Sequence, residues 1–212
     1  MEERFDILDG SGAPVGQARP RSEVHARGLW HRAFHLFLVA RLDGVPHALL
    51  QRRSEDKDTS PGKLDVAVGG HFSAGETIVE AVREVEEELG LRVSVGELTF
   101  LWTQAVVHET PQYVDREHQE VYLLRRDAPP EAYRPDPVEL AGLYAAPLGE
   151  LEAVLAGTRA VGDARGLARV GRGPRAPFVA DERSFTRADF IAGDEERLLR
   201  AVRASVRAFE SQ

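Results

Sequence analysis

Residues 69–91, GGHFSAGETIVEAVREVEEELGL, constrain this chain more than any other stretch. Paired glycines lead through a short polar loop into a segment carrying Glu84, Glu87 and Glu88. Positions i, i+3 and i+4 of an α-helix share one face. The spacing therefore predicts three carboxylates side by side, flanked by Arg83 and by the further acids Glu80 and Glu86. Ala81, Val82, Val85 and Leu89 supply the opposite, apolar stripe that would seat the helix on a core. Like charges at this spacing weaken an isolated helix. A hard divalent cation, Mg²⁺ or Mn²⁺, is the simplest compensation, since such ions take oxygen ligands and usually share one or two carboxylates with substrate phosphates. A solvated acidic face is the plainer alternative.

The rest of the pattern predicts an α/β (α+β) chain with a mixed sheet. FDILD, GSG and PVGQAR read as an opening hairpin; FHLFLVARL, Asp43-Gly44 and HALLQRR read as a second, more apolar one. LDVAVGG reads as a buried strand entering the glutamate helix. VSVGELTFLWTQAVV and VYLLRR read as strands on either side of a loop, HETPQYVDREHQE. A helix is expected over 147–157, an irregular excursion over 160–177, and a last helix from an Asp194 N-cap to Phe209. One domain over 1–212 is expected, with a core at about 30–157, an N-terminal hairpin at 1–29 and a helical extension at 158–212.

A formal net charge of −8 argues against a general nucleic-acid binder. No apolar run approaches the ~20 residues of a membrane span, and MEERFDILDG lacks the basic and apolar regions of a signal peptide. No cysteine is present, so disulfides and thiolate metal sites are excluded. A cytoplasmic enzyme is the expectation, with a homodimer as one assembly it could form. Lys57 and Lys63 are the chain's two lysines and lie in one short segment. In an otherwise arginine-using chain, a compact ammonium on a flexible stem looks selected there.

Residues 70–91 resemble the Nudix box, G-x(5)-E-x(7)-R-E-U-x-E-E-x-G-U, with U a bulky apolar residue. Gly70 and Glu76 fit the first fixed positions, and Arg83, Glu84, Val85, Glu87, Glu88, Gly90 and Leu91 fit the rest. The spacing departs once: six residues, TIVEAV, stand where the pattern has seven, which puts the reach of Glu76 toward Arg83 in question. The resemblance implies a Nudix-type α/β/α sandwich with a mixed sheet and, here, extra C-terminal helices. It also implies a hydrolase that uses Mg²⁺ or Mn²⁺ to cleave a diphosphate linkage.

The segment QRRSEDKDTSPGKLDVAVGGH is similar to the loop before the box in the isopentenyl-diphosphate isomerase-like branch. That likeness assigns Arg53 and Lys57 to a substrate diphosphate, a role suited to a planar Arg fork and a mobile Lys. It also suggests a second metal site from His25, His31, His71 and Glu117. Gln119 stands where a second glutamate is expected, so this site is expected to be empty or weak. Gly69 stands where the isomerases carry a catalytic cysteine, which favours hydrolysis over isomerisation.

The implied mechanism is metal-assisted attack of water on phosphorus. Glu84, Glu87, Glu88 and the Gly69 carbonyl would hold one to three ions, and Arg83 would orient a box glutamate. Glu87, Glu88, Glu117 and Glu120 are candidate general bases, with Glu120 favoured. A nucleoside di- or triphosphate derivative is the first expectation for substrate, and an isoprenoid or other non-nucleotide diphosphate the second. Trp30, Trp102, Tyr113 and Tyr122 are candidates to stack on a base, though core roles suit most of them. An isomerase-like enzyme and a non-catalytic nucleotide-binding module are the alternatives.

Overall fold

The computed structural model describes residues 2–57, 59–109 and 114–210. Its centre is β3 (Trp30–Leu42), an apolar strand buried along most of its length, as expected of a strand covered on both faces. Its C-terminal half pairs antiparallel with β4 (Val45–Arg53) across the Asp43-Gly44 turn, and its N-terminal half with β6 (Val68–His71). On its other edge runs β8 (Val114–Arg125), parallel from Trp30↔Arg116 to Val39↔Arg125. β7 (Thr99–Glu109) pairs antiparallel with β8. The expected opening hairpin is β1 (Arg4–Leu8) and β2 (Pro14–Pro20), joined to β3 at Leu8↔Trp30; β5 (Leu64–Asp65) pairs with β4. One mixed sheet therefore contains the described strands.

Alternate residues of β3 feed two cores. Phe37 and Val39 pack with α4 (Leu148–Leu155) and α5 (Glu195–Glu210) on one face. Phe34, Leu36 and Leu38 pack with Val85 and Leu89 of α3 (Arg83–Leu89) on the other. These layers make the expected α/β/α sandwich. A short helix, α1 (Arg21–Arg27), carries His25 beside β1.

Two expectations need correction. Residues 160–177 are not simply irregular: β10 (Gly162–Arg169) and β11 (Phe178–Phe185) form a hairpin that extends the sheet beyond β9 (Leu140–Pro147). The region 158–212 thus supplies strands before its helix. Their alternation is masked by small and charged residues such as Ala164, Gly166 and Ala168. DREHQE is strand, not loop, because pairing with both β3 and β7 extends β8 back to Val114.

The box helix shows how the shortened spacing is accommodated. A capping box of Thr77 and Glu80 starts α2 (Ile78–Ala81), so Glu80 serves its own helix N-terminus. At Val82 the helix breaks, with Val85 N–H reaching back three residues to the Val82 carbonyl. This tight 3₁₀-like step lies between Glu76 and Arg83, where one residue fewer must span the junction. α3 then ends at Gly90, whose φ of 64° closes the last turn in the left-handed region.

Candidate active site

A cleft of about 470 Å³ opens above β6, α3 and the β7–β8 hairpin. Its walls include Arg53, Lys57, Gly69, Glu84, Glu87, Glu88 and Glu117, so most sequence-predicted site residues meet here. Acidic lining residues outnumber Lys and Arg ten to four. A polyanionic substrate would be repelled from such a surface unless cations bridged the two.

Glu84 and Glu88 face inward from α3, whereas the Glu87 side chain is 62% exposed. Glu88 is buried, and its Oε2 has no hydrogen-bond partner among the described residues. Burial pushes its carboxyl well above the usual range, against the pull of the Lys57 charge. Burial also raises Glu84 to about 7, despite the nearby Arg83. Glu84 packs so closely on β6 that a Cβ at Gly70 would lie 2.6 Å from its carboxyl carbon. A buried Glu88 oxygen with no described partner, beside a half-buried Glu84 that has Arg83 on one side and lies under a backbone stripped of its side chain, fits a hard cation with oxygen ligands.

Arg83 lies 3.0 Å from Glu84 and 3.2 Å from Glu76. Glu76 therefore does reach Arg83, and its other oxygen accepts the Ser73 N–H at 2.7 Å. Arg53 donates to the Thr59 carbonyl and hydroxyl and lies 3.5 Å from Asp65. Lys57 is paired with Glu139 at the same rim. Lys63 instead donates to the Ala188 carbonyl and is absent from the lining.

Glu117 and Glu120 part company. Strand alternation turns Glu117 and Gln119 into the cleft, and His118 and Glu120 to the opposite face. Glu120 accepts two bonds from Arg32, at 2.6 and 2.9 Å, and one from Tyr122. Since Arg32 also holds the Glu76 carbonyl, this network braces the box loop from behind. The favoured general base is thus corrected: Glu120 lies outside the cleft. Burial raises the Glu117 carboxyl, but the His71 hydrogen bond and the His71, His35 and His31 charges outweigh it and hold the group well below the usual range.

His25, His31 and His71 offer ligand atoms within 4.8 Å of one another, as do His31, Asp115 and Glu117. Sequence reasoning missed Asp115, which lay in the supposed loop. It gives the cluster a second carboxylate and removes the ground for expecting weakness from Gln119 alone. Burial, then the Glu117 charge, lifts Asp115 to about 7. Trp30 packs on His118, Trp102 lies under Arg200, and Tyr122 touches Phe34 and Phe100, so none of these stacking candidates lines the cleft. Tyr113 lies outside the described residues.

A NUDIX domain model matches residues 29–169, from the start of β3 through β10. The chain belongs to the Nudix family. An uncharacterised Nudix hydrolase of Clostridium acetobutylicum is 35% identical over 152 residues, covering 71% of this chain and 73% of that protein. Nudix hydrolase 3 of Arabidopsis thaliana is 40% identical over 126 residues, which is 58% of this chain but only 16% of the plant protein. The crystal structure of DR0079 from Deinococcus radiodurans superposes with a TM-score of 0.52 at 27% identity, covering 73% of this chain and 90% of that one. As a Nudix hydrolase, the chain belongs to an enzyme class acting on phosphorus-containing anhydrides. Among the described residues, no helix is long and apolar enough to cross a membrane.

Proposed function

We propose that this Nudix chain is a divalent-metal-dependent pyrophosphohydrolase of a small-molecule diphosphate, with a nucleoside diphosphate derivative as the first candidate. The buried, partnerless Glu88 oxygen beside Glu84 carries the reading. Glu84, Glu87, Glu88 and the Gly69 carbonyl would hold Mg²⁺ or Mn²⁺, which supplies charge neutralisation at phosphorus and a more acidic water. Arg83 keeps Glu84 oriented. Arg53 and Lys57 receive the substrate phosphates.

In the reaction, a water oxygen bonds to phosphorus as a bridging P–O bond breaks, and the water proton passes to a carboxylate. Glu117 is the base in this reading, because it faces the cleft and its surroundings favour the anion. Among the described lining residues Ile191 is the only aliphatic side chain larger than glycine, which offers little to a prenyl tail. Together with Gly69 at the cysteine position, this disfavours the isomerase alternative and an isoprenoid substrate.

A panel of diphosphate compounds, assayed with Mg²⁺ or Mn²⁺ for phosphate and mononucleotide release, tests the function. Hydrolysis lost in Glu117→Gln and in Glu88→Gln is expected. Turnover of isopentenyl diphosphate to its isomer would overturn the reading. The histidine cluster suits Zn²⁺ better than Mg²⁺, and anomalous scattering at the zinc edge separates that site from the box.

A further inference from the structure

The C-terminal helix contacts the cleft at one carboxylate by two routes. Arg197, buried at the start of α5, donates to His35 Nδ1 at 2.8 Å. Its second terminal nitrogen is held by Asp194 and lies 3.4 Å from Asp65. A guanidinium has no acceptor, so His35 Nδ1 must be the lone-pair nitrogen and its proton must sit on Nε2. That nitrogen faces Glu117 Oε2 at 3.8 Å. The second route starts one turn later, where Arg200 lies 4.0 Å over the Trp102 ring. Trp102 Nε1–H, also donor-only, gives its hydrogen bond to Gln104 Oε1 at 3.0 Å. Gln104 Nε2 then donates to Gln119 Oε1 at 3.1 Å, and Gln119 Nε2 to Glu117 Oε2 at 2.7 Å.

Both routes begin at groups that can only donate, so neither can reverse. The second ends in a hydrogen bond to Glu117 Oε2, and the first aims the His35 N–H at that same oxygen from 3.8 Å as an electrostatic contact. Glu117 Oε1 is left toward His71, at 3.1 Å, and toward the histidine cluster. We propose that α5 positions Glu117 from two sides, through the one-way hydrogen-bond relay that ends at Gln119 and through the His35 N–H that Arg197 aims at the same oxygen, with Arg197 and Gln119 as positioning residues that fix Oε2 and leave Oε1 as the working oxygen. Gln119 is then not a degraded ligand: a glutamate there could not donate, and the relay would end in two facing carboxylates.

The kinetic part of the test rests on the hydrolase reading; the spectroscopic part does not. In ¹⁵N-histidine spectra of the wild-type protein, the His35 resonances, assigned by their loss in His35→Gln, should show an unprotonated Nδ1 and a protonated Nε2. A protonated Nδ1 overturns the proposal whether or not any substrate is hydrolysed. Arg197→Met should lower kcat by about 10- to 100-fold with KM nearly unchanged, the usual scale for outer-shell partners of a site carboxylate. Arg197→Lys, which restores one donor, should recover most of that loss. Gln119→Glu should show the same kcat loss in a folded protein. Full kcat in Gln119→Glu, or Lys at 197 performing no better than Met, overturns it.

Discussion

Glu88 carries an unusual burden for a side chain on a surface helix. It is buried, its Oε2 is unpartnered, and its carboxyl is pushed up by that burial. A side chain held at such cost until a cation arrives should behave oppositely in two assays. Glu88→Gln is expected to raise the Tm of the metal-free protein and to abolish the further rise that Mg²⁺ gives. In the same variant kcat/KM should fall by roughly 10²–10³-fold, the scale of losing one charge-stabilising group. Normal activity together with an unchanged Mg²⁺ response would remove Glu88 from the metal site. Lys57 differs, because it sits at the rim in an ion pair with Glu139. If it binds phosphate equally in ground and transition states, Lys57→Ala should mainly raise KM. Losing a charge-assisted bond of roughly 1.5–3 kcal/mol corresponds to about 10- to 150-fold in kcat/KM. Unchanged kinetics would return Lys57 to a surface role.

At the scale of elements, the legible parts were those whose signal is local. The carboxylate face of α3 follows from helical period, the β3–β4 hairpin from Asp43-Gly44, and α5 from its apolar stripe, while the Asp194 carboxylate expected to cap α5 is instead taken by Arg197. What could not be read depends on partners far along the chain. Asp115 became a site residue only because β8 pairs in parallel with β3, and Glu120 lost its proposed role because Arg32 claims it from the other face. β10 was hidden because its buried positions are alanine, glycine and a single leucine. That hairpin has a functional consequence: Arg169, at the end of β10, is nearly buried and donates to Ser54, to the Pro137 carbonyl and to Glu55. It therefore ties down the turn that presents Lys57. Arg169→Ala should cost roughly 1–3 kcal/mol by leaving those acceptors unpaired, read as a lower Tm, and should raise KM through a loosened Lys57. A lower Tm with unchanged KM would make the clasp purely structural.

At the scale of the whole molecule, stability and metal binding should be linked through pH. Burial lowers both His31 and His35 to about 4, so each folded-state value lies below the unfolded one. Their contribution is complete above about pH 6.5 and is lost as pH falls toward 4. Glu84 and Asp115, raised by burial to about 7, and Glu88, raised further, act in the other direction. For these groups the folded state holds protons that the unfolded state has released, so stability falls as pH rises through the folded values. Between pH 6.5 and 8 the two histidines are neutral in the folded state and only half-protonated or less in the unfolded one, so their remaining gain is small beside the loss from the three acids. The metal-free protein should therefore lose Tm across that interval. Mg²⁺ displaces the protons that Glu84 and Glu88 would otherwise retain, so the Tm increment from a fixed Mg²⁺ concentration should be larger at pH 8 than at pH 6.5. Differential scanning calorimetry of metal-stripped and Mg²⁺-loaded protein at the two pH values measures both quantities. A metal-free Tm that stays level or climbs over this range, with a Mg²⁺ increment independent of pH, would mean that these buried carboxyls are not the groups that bind the ion.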